Sequence, residues 1–165
     1  MRYAGLLKND VAAAPGNCVT FFTQGCPHHC PQCQNPETWD FEGGKEFYPS
    51  LIQEIIEALT ANGITRSFCI MGGEPLCAEN EFLTMLLIIE IRKELPEVPI
   101  YIWSGYTIEQ LLEQPTEKTK FILQNADYLI DGPYIHSLRD ITLPMRGSSN
   151  QRIINLKELD FLKKL

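Results

Sequence analysis

Three cysteines fall within eight residues, in the run Cys26-Pro-His-His-Cys30-Pro-Gln-Cys33. Thiolates this close can cap one compact metal centre. Pro27 and Pro31 each remove a backbone donor and fix φ, which discourages a helix and favours a loop curled around a cluster. Zinc would need a fourth ligand such as His28 or His29, and structural zinc usually pairs two short ligand hooks far apart in sequence. Cys69 and Cys77 make a poor second hook. A thiol redox pair on Cys30 and Cys33 leaves Cys26 without a role. Electron-transfer iron–sulfur proteins normally supply four cysteines to a cluster. Three cysteines can instead hold a [4Fe–4S] cubane with one iron left open to bind a small molecule. Spacing alone therefore points to a metal centre with an open position.

A second element, Gly72-Gly73-Glu74-Pro75, follows about 40 residues later. A glycine pair lets the backbone approach a ligand closely or adopt positive φ. Taken alone it is an ordinary strand-to-helix turn.

The elements that must position these residues alternate between strand and helix. Cys18–Phe22, Ser67–Met71, Ile100–Trp103 and Tyr128–Ile130 are β-branched, aromatic or apolar on both faces, and 153–156 forms a last strand. Leu51, Ile52, Ile55, Ile56 and Leu59 recur at helical spacing behind Ser50 as N-cap, and Asn62-Gly63 ends that helix. Further helices are expected over 80–94, 108–113 and 117–124. This order predicts an α/β fold with a mostly parallel sheet. The cysteine loop, Gly72-Gly73, Ser104-Gly105 and Asp131-Gly132 each sit just after a strand. In parallel folds such ends share one rim, where ligands bind. At 165 residues the chain is too short for a regular eight-fold barrel, so a partial, open (β/α) barrel spanning 1–165 as one domain is expected.

Composition narrows the class. The net charge is −7, a poor basis for wrapping nucleic acid. From Ile135 to Leu165 six basic residues face three acidic ones, so this segment carries +3 and the remainder −10. The segment suits an acidic partner surface or a solvated terminus equally. The longest apolar stretch, Met85–Ile89, is too short to span a bilayer, and the N-terminal apolar run is too short for a signal peptide. A cytoplasmic protein is expected, and clustered cysteines there favour metal or catalysis over disulfides.

C-x3-C-x2-C followed by Gly-Gly-Glu resembles the radical S-adenosylmethionine superfamily. Almost the whole chain is similar to the activating proteins of anaerobic ribonucleoside-triphosphate reductase, a branch of the glycyl-radical-enzyme activases. The matching pieces are Pro15-Gly16, Gln24-Gly25-Cys26, Asn35-Pro-Glu-Thr-Trp-Asp40, Trp103-Ser-Gly-Tyr106, Leu129-Ile-Asp-Gly132 and, most distinctive of the branch, Arg146-Gly-Ser-Ser-Asn-Gln151. The resemblance implies an oxidoreductase in which Cys26, Cys30 and Cys33 ligate a [4Fe–4S] cluster whose open iron chelates S-adenosylmethionine. Reductive cleavage would yield methionine and a 5′-deoxyadenosyl radical, which takes hydrogen from a glycine of the reductase large subunit. The electron would come from a flavodoxin- or ferredoxin-type reductant. Gly72, Gly73 and Glu74 would grip the methionine end. Gln32, Cys33 and Gln34 would contact the adenosyl group, although the superfamily often has an aromatic residue where Gln32 stands. Ser104 and Asp131 would contact ribose or amino acid, with a turn role for Asp131 as the competing reading.

The remaining candidates are assigned lesser parts. Cys18, Cys69 and Cys77 are read as packing. His28 and His29 flank the loop, and Trp39 and Trp103 pack. Arg146–Gln151 shapes the site rim or a partner interface, or is simply a polar loop. Two alternatives stay open: an activase of another glycyl-radical enzyme such as pyruvate formate-lyase, and a non-catalytic zinc or iron–sulfur module.

Overall fold

The structure, a computed structural model, describes residues 1–164. Its strands are β1 (Arg2–Asp10), β2 (Cys18–Thr23), β3 (Lys45–Glu46), β4 (Ser67–Gly72), β5 (Ile100–Ser104), β6 (Tyr128–Asp131) and β7 (Arg152–Asn155). Its helices are α1 (Ser50–Thr60), α2 (Glu81–Glu94), α3 (Ile108–Glu113) and α4 (Glu117–Asn125). The strands form one open, seven-stranded sheet in the order β3-β1-β2-β4-β5-β6-β7, giving a mixed α/β architecture.

The expected parallel arrangement holds for the centre alone. β2, β4, β5 and β6 run parallel, while β1–β2, β1–β3 and β6–β7 are antiparallel. The reason lies in the connections. Residues 11–17 are too few for a crossover, so β1 can only turn back on β2. Residues 132–151 hold no α-helix, and β7 returns beside β6 in the opposite direction.

The two sheet faces follow strand alternation. One face presents Val19, Phe21, Phe68, Ile70, Ile100, Ile102 and Leu129 to the helices. They pack on Leu51, Ile55 and Leu59 of α1, on Leu83, Leu87, Ile88 and Ile91 of α2, and on Ile122 and Leu123 of α4. Each such large aliphatic side chain contributes roughly 1.5–3 kcal/mol on burial, which anchors the helices and leaves the loops free to carry function. The other face carries Cys18, Cys69, Tyr101 and Ile130, covered by Ala13 and Ala14 from the β1–β2 turn. Cys18 and Cys69 are fully buried there and behave as small hydrophobes.

Capping departs from expectation at α1. Ser50 is the first helical residue rather than the cap, because Pro49 already has helical torsions and no side chain caps the end. Asn62 and Gly63, at φ 59° and 67°, terminate the segment as expected. A full capping box, Thr107 with Gln110, starts α3, and Thr116 caps α4.

Candidate metal and cofactor site

Parallel register brings the strand ends level: Thr23 faces Gly72 and Ser104 faces Asp131. Beyond those ends lies a cavity of about 440 Å³. Cys26, Cys30, Cys33 and Gln34 line one side, Gly72 to Glu74 another, and Ser104, Gly105 and Gly132 a third. Met71, Trp103, Met145, Arg146, Gly147 and Gln151 close the remaining wall. The rim predicted from the sequence therefore exists.

The cysteine arc is built on a second loop. Gly25 N–H donates to the Thr38 carbonyl at 2.8 Å and Cys26 N–H to that of Trp39 at 3.2 Å. The Gln24 amide donates to the carbonyls of Glu37 and Asp40. Gly25 has φ 96°, and the Phe41 ring occupies the space a side chain would need. His29 and Gln32 also adopt the left-handed region, at φ 48° and 57°, which curls the arc tightly. Cys33 N–H closes a turn on the Cys30 carbonyl at 3.0 Å, and Asn35 N–H donates to Cys33 Sγ at 3.4 Å.

All six cysteines are free thiols. Burial pushes the Cys26 thiol up to about 11, and burial likewise raises that of Cys30. Both thiols thus keep their protons near neutrality until a metal displaces them. Among the described residues, no three His, Cys, Asp or Glu side chains converge as a single metal ion would require. A cubane takes each thiolate on a separate iron and needs no such convergence. Three soft thiol donors around a cavity, one receiving an N–H bond, fit an iron–sulfur cluster.

Glu74 occupies the centre of the rim and is fully buried. Its Oε1 accepts from Leu76 N–H at 2.9 Å and Ser104 Oγ at 2.8 Å. Its Oε2 accepts from Gly105 N–H at 2.7 Å and His28 Nε2 at 2.9 Å. The carboxylate is saturated by protein donors, and it joins the ends of β4 and β5 to the cysteine arc. Gly73 lies against the arc: a side chain there would fall 2.3 Å from the Gly25 carbonyl oxygen. That carbonyl already accepts from Glu74 N–H and Asn80 Nδ2.

Two expected contacts lie off the cavity. The side chain of Gln32 is exposed, on a backbone in the left-handed region. Asp131 is fully buried and does not line the cavity. Its carboxylate accepts from Arg152 Nε at 3.0 Å, from Arg152 Nη2, and from Ile108 N–H at 2.8 Å. It joins β6, β7 and α3, a tertiary tie that neither the turn reading nor the ribose contact anticipates.

Two features carried no spacing signal. His28 reaches Glu74 across 46 residues. Trp103 Nε1 donates to the Met145 carbonyl at 2.7 Å, pinning the Arg146–Gln151 loop to the rim. Within that loop the Gln151 side chain accepts from Gly147 and Ser148 N–H and donates to the Gly132 carbonyl. The loop is therefore part of the cavity wall.

Residues 12–154 match the family model described as a 4Fe-4S single cluster domain. The chain is 33% identical over 158 residues to the anaerobic ribonucleoside-triphosphate reductase-activating protein of Escherichia coli (strain K12), covering 95% of this chain and 100% of that one. It is 33% identical to the protein of the same name from Haemophilus influenzae, over 95% of this chain and 99% of that one. The corresponding protein of Enterobacteria phage T4 is 31% identical, with 93% of each chain covered.

Proposed function

The chain belongs to the 4Fe-4S single cluster domain family and groups within it with the anaerobic ribonucleoside-triphosphate reductase-activating proteins, and from that membership we propose that it is a radical S-adenosylmethionine activase. Its target on this reading is a glycine of the anaerobic reductase large subunit. The observation that carries the reading is the meeting of Cys26, Cys30 and Cys33 with the Gly72–Gly73 turn on one cavity. The open sheet, parallel at its centre, serves as a partial barrel of the radical S-adenosylmethionine type.

Cys26, Cys30 and Cys33 would hold the cluster. When bound, the cluster supplies one electron for reductive cleavage of S-adenosylmethionine, and a flavodoxin- or ferredoxin-type protein replenishes it. The backbone of Gly72 and Gly73 would take the methionine end, since no side chain stands between it and the cavity. Ser104 would act through Glu74, to which its hydroxyl is already committed. Gln34, Trp103 and Met145 would bound the adenosyl group and exclude water. We assign the reaction to the cytoplasm, where free thiols persist; no described helix is long and apolar enough to cross a membrane.

Anaerobic reconstitution tests the reading. About four irons per chain are expected, with cleavage of S-adenosylmethionine that Cys30→Ala abolishes. Adding the reductase should then give a glycyl-radical doublet in electron paramagnetic resonance. One zinc per chain and no cleavage would refute it.

A further inference from the structure

His28 lies between the first two cysteines and lines the same cavity, yet its ring is committed to the strand ends. Nε2 reaches Glu74 Oε2 at 2.9 Å. The carboxylate oxygen can only accept, so Nε2 carries the proton. The ring sits edge-on to Tyr106 with centroids 4.4 Å apart. It also fills the space beside Gly105, where a side chain would meet its Cδ2 at 2.5 Å. His28 is thus packed on the end of β5 and bonded to the end of β4.

Glu74 takes its other three bonds from Leu76, Ser104 and Gly105, all on β4 and β5 connections. His28 is the one donor that comes from the cysteine arc. Two further backbone bonds of the arc run to the Thr38 and Trp39 carbonyls, which belong to the same long loop. Its links to β4 are Gly25 against Glu74 and Asn80, at the near end of the arc. Between Cys26 and Cys30, His28 is the residue whose side chain bonds to the ends of β4 and β5, while the Tyr134 backbone reaches the Cys30 thiol from the β6–β7 connection.

We propose that His28 is a positioning residue: through Glu74 it holds the Cys26–Cys30 span in register with the Gly72–Gly73 turn and β5, before any iron is bound. The inference rests on the activase reading for its catalytic consequence alone. The bond is charge-assisted and sheltered, and losing such a bond shifts a local equilibrium on the order of ten- to a hundredfold. His28→Leu removes the donor. His28→Gln keeps an N–H donor at nearly the same reach.

The first measurement is amide hydrogen exchange on the iron-free protein. Segment 26–33 should exchange at least about tenfold faster in His28→Leu and within about threefold of the parent rate in His28→Gln. The second is kinetics of the reconstituted protein. KM for S-adenosylmethionine should rise about tenfold or more in His28→Leu, with kcat changed by less than about threefold, and His28→Gln should restore it. Unchanged exchange in His28→Leu, or His28→Gln as perturbed as His28→Leu, would overturn the proposal. If His28→Leu does not fold, His28→Gln decides alone: parental exchange and KM support the latch, and perturbed values refute it. A parent protein that cleaves no S-adenosylmethionine would refute the activase reading and leave the exchange result to judge His28.

Discussion

Replacing Gly73 with alanine should disturb the cysteine arc through a clash that no side-chain movement relieves. The new Cβ would lie 2.3 Å from the Gly25 carbonyl oxygen, 3.0 Å from its carbon and 3.1 Å from its nitrogen. All three are backbone atoms, so no rotamer change relieves the contact. To reach even 3.0 Å, closer than real Cβ contacts come, the two strands must part by roughly 0.7 Å. Gly25 cannot retreat freely, because its carbonyl holds Glu74 N–H at 2.9 Å and Asn80 Nδ2 at 3.1 Å. Weakening two hydrogen bonds of about 1 kcal/mol each, added to overpacking, places the loss at roughly 2–4 kcal/mol. At this chain length that is a fall in Tm of about 5–15 °C. A displacement approaching 1 Å at Gly25–Cys26 also misplaces the first thiol, and such errors cost up to about a hundredfold in rate. Thermal denaturation of the iron-free protein and single-turnover cleavage of S-adenosylmethionine measure the two effects separately. An alanine variant with parental Tm and parental cleavage would refute the packing argument, since the contact leaves no third possibility.

Two further outcomes follow from the buried carboxylates. Burial opposes ionisation of Asp127, but Lys157, the Ile100 N–H and Arg92 outweigh it and hold its carboxyl below the ordinary carboxylate range. A depressed folded value means stability that is present above about pH 4 and lost as pH falls below it. Asp127→Asn should therefore cost about 2–3 kcal/mol at pH 7 and flatten the acid limb of the stability profile, read by urea denaturation across pH. An acid limb as steep as the parent's would exclude this group. Asp131→Asn should lower stability by a similar amount, because the Arg152 guanidinium loses its buried partner and keeps only exposed Glu109. KM for S-adenosylmethionine should stay within about threefold of the parent's; a tenfold rise at unchanged Tm would return Asp131 to the ligand.

Much of this arrangement was legible because it depends on local pattern. The β-branched runs at Cys18, Ser67 and Ile100 and the apolar spacing through Leu59 determine strands and helix within a residue or two. The cysteine arc and Gly72–Gly73 were found by residue type and their rim by the rule that strand ends align. What escaped depends on partners distant in sequence. β1 shows no clean alternation, since its pairing with β2 shifts register twice. The role of Asp131 is set by Arg152, which lies opposite it only once β7 has paired antiparallel with β6. Motif analogy puts Gln32 on the ligand, whereas its side chain is exposed on a left-handed backbone. His28 carries no period at all; only the folded chain brings it to Glu74.

The pairing of β2 with β4 has a consequence for the order of assembly. Cys26, Cys30 and Cys33, the proposed cluster ligands, all lie in the connection between those strands, residues 24–66. Parallel pairing across so long a loop must meet its closure entropy before any contact rewards it, so this step belongs to the slow part of folding. Until it completes, Gly25 has no Gly73 to lie against and Glu74 has no His28, and the thiols sit on an unstructured chain. A newly made chain therefore passes through an interval in which Cys26, Cys30 and Cys33 are open to oxidation and to adventitious metals. Closure of the sheet ends that interval. On the proposed activase reading, iron delivered after it meets a preshaped arc, while iron or oxidant arriving before it competes with the fold itself.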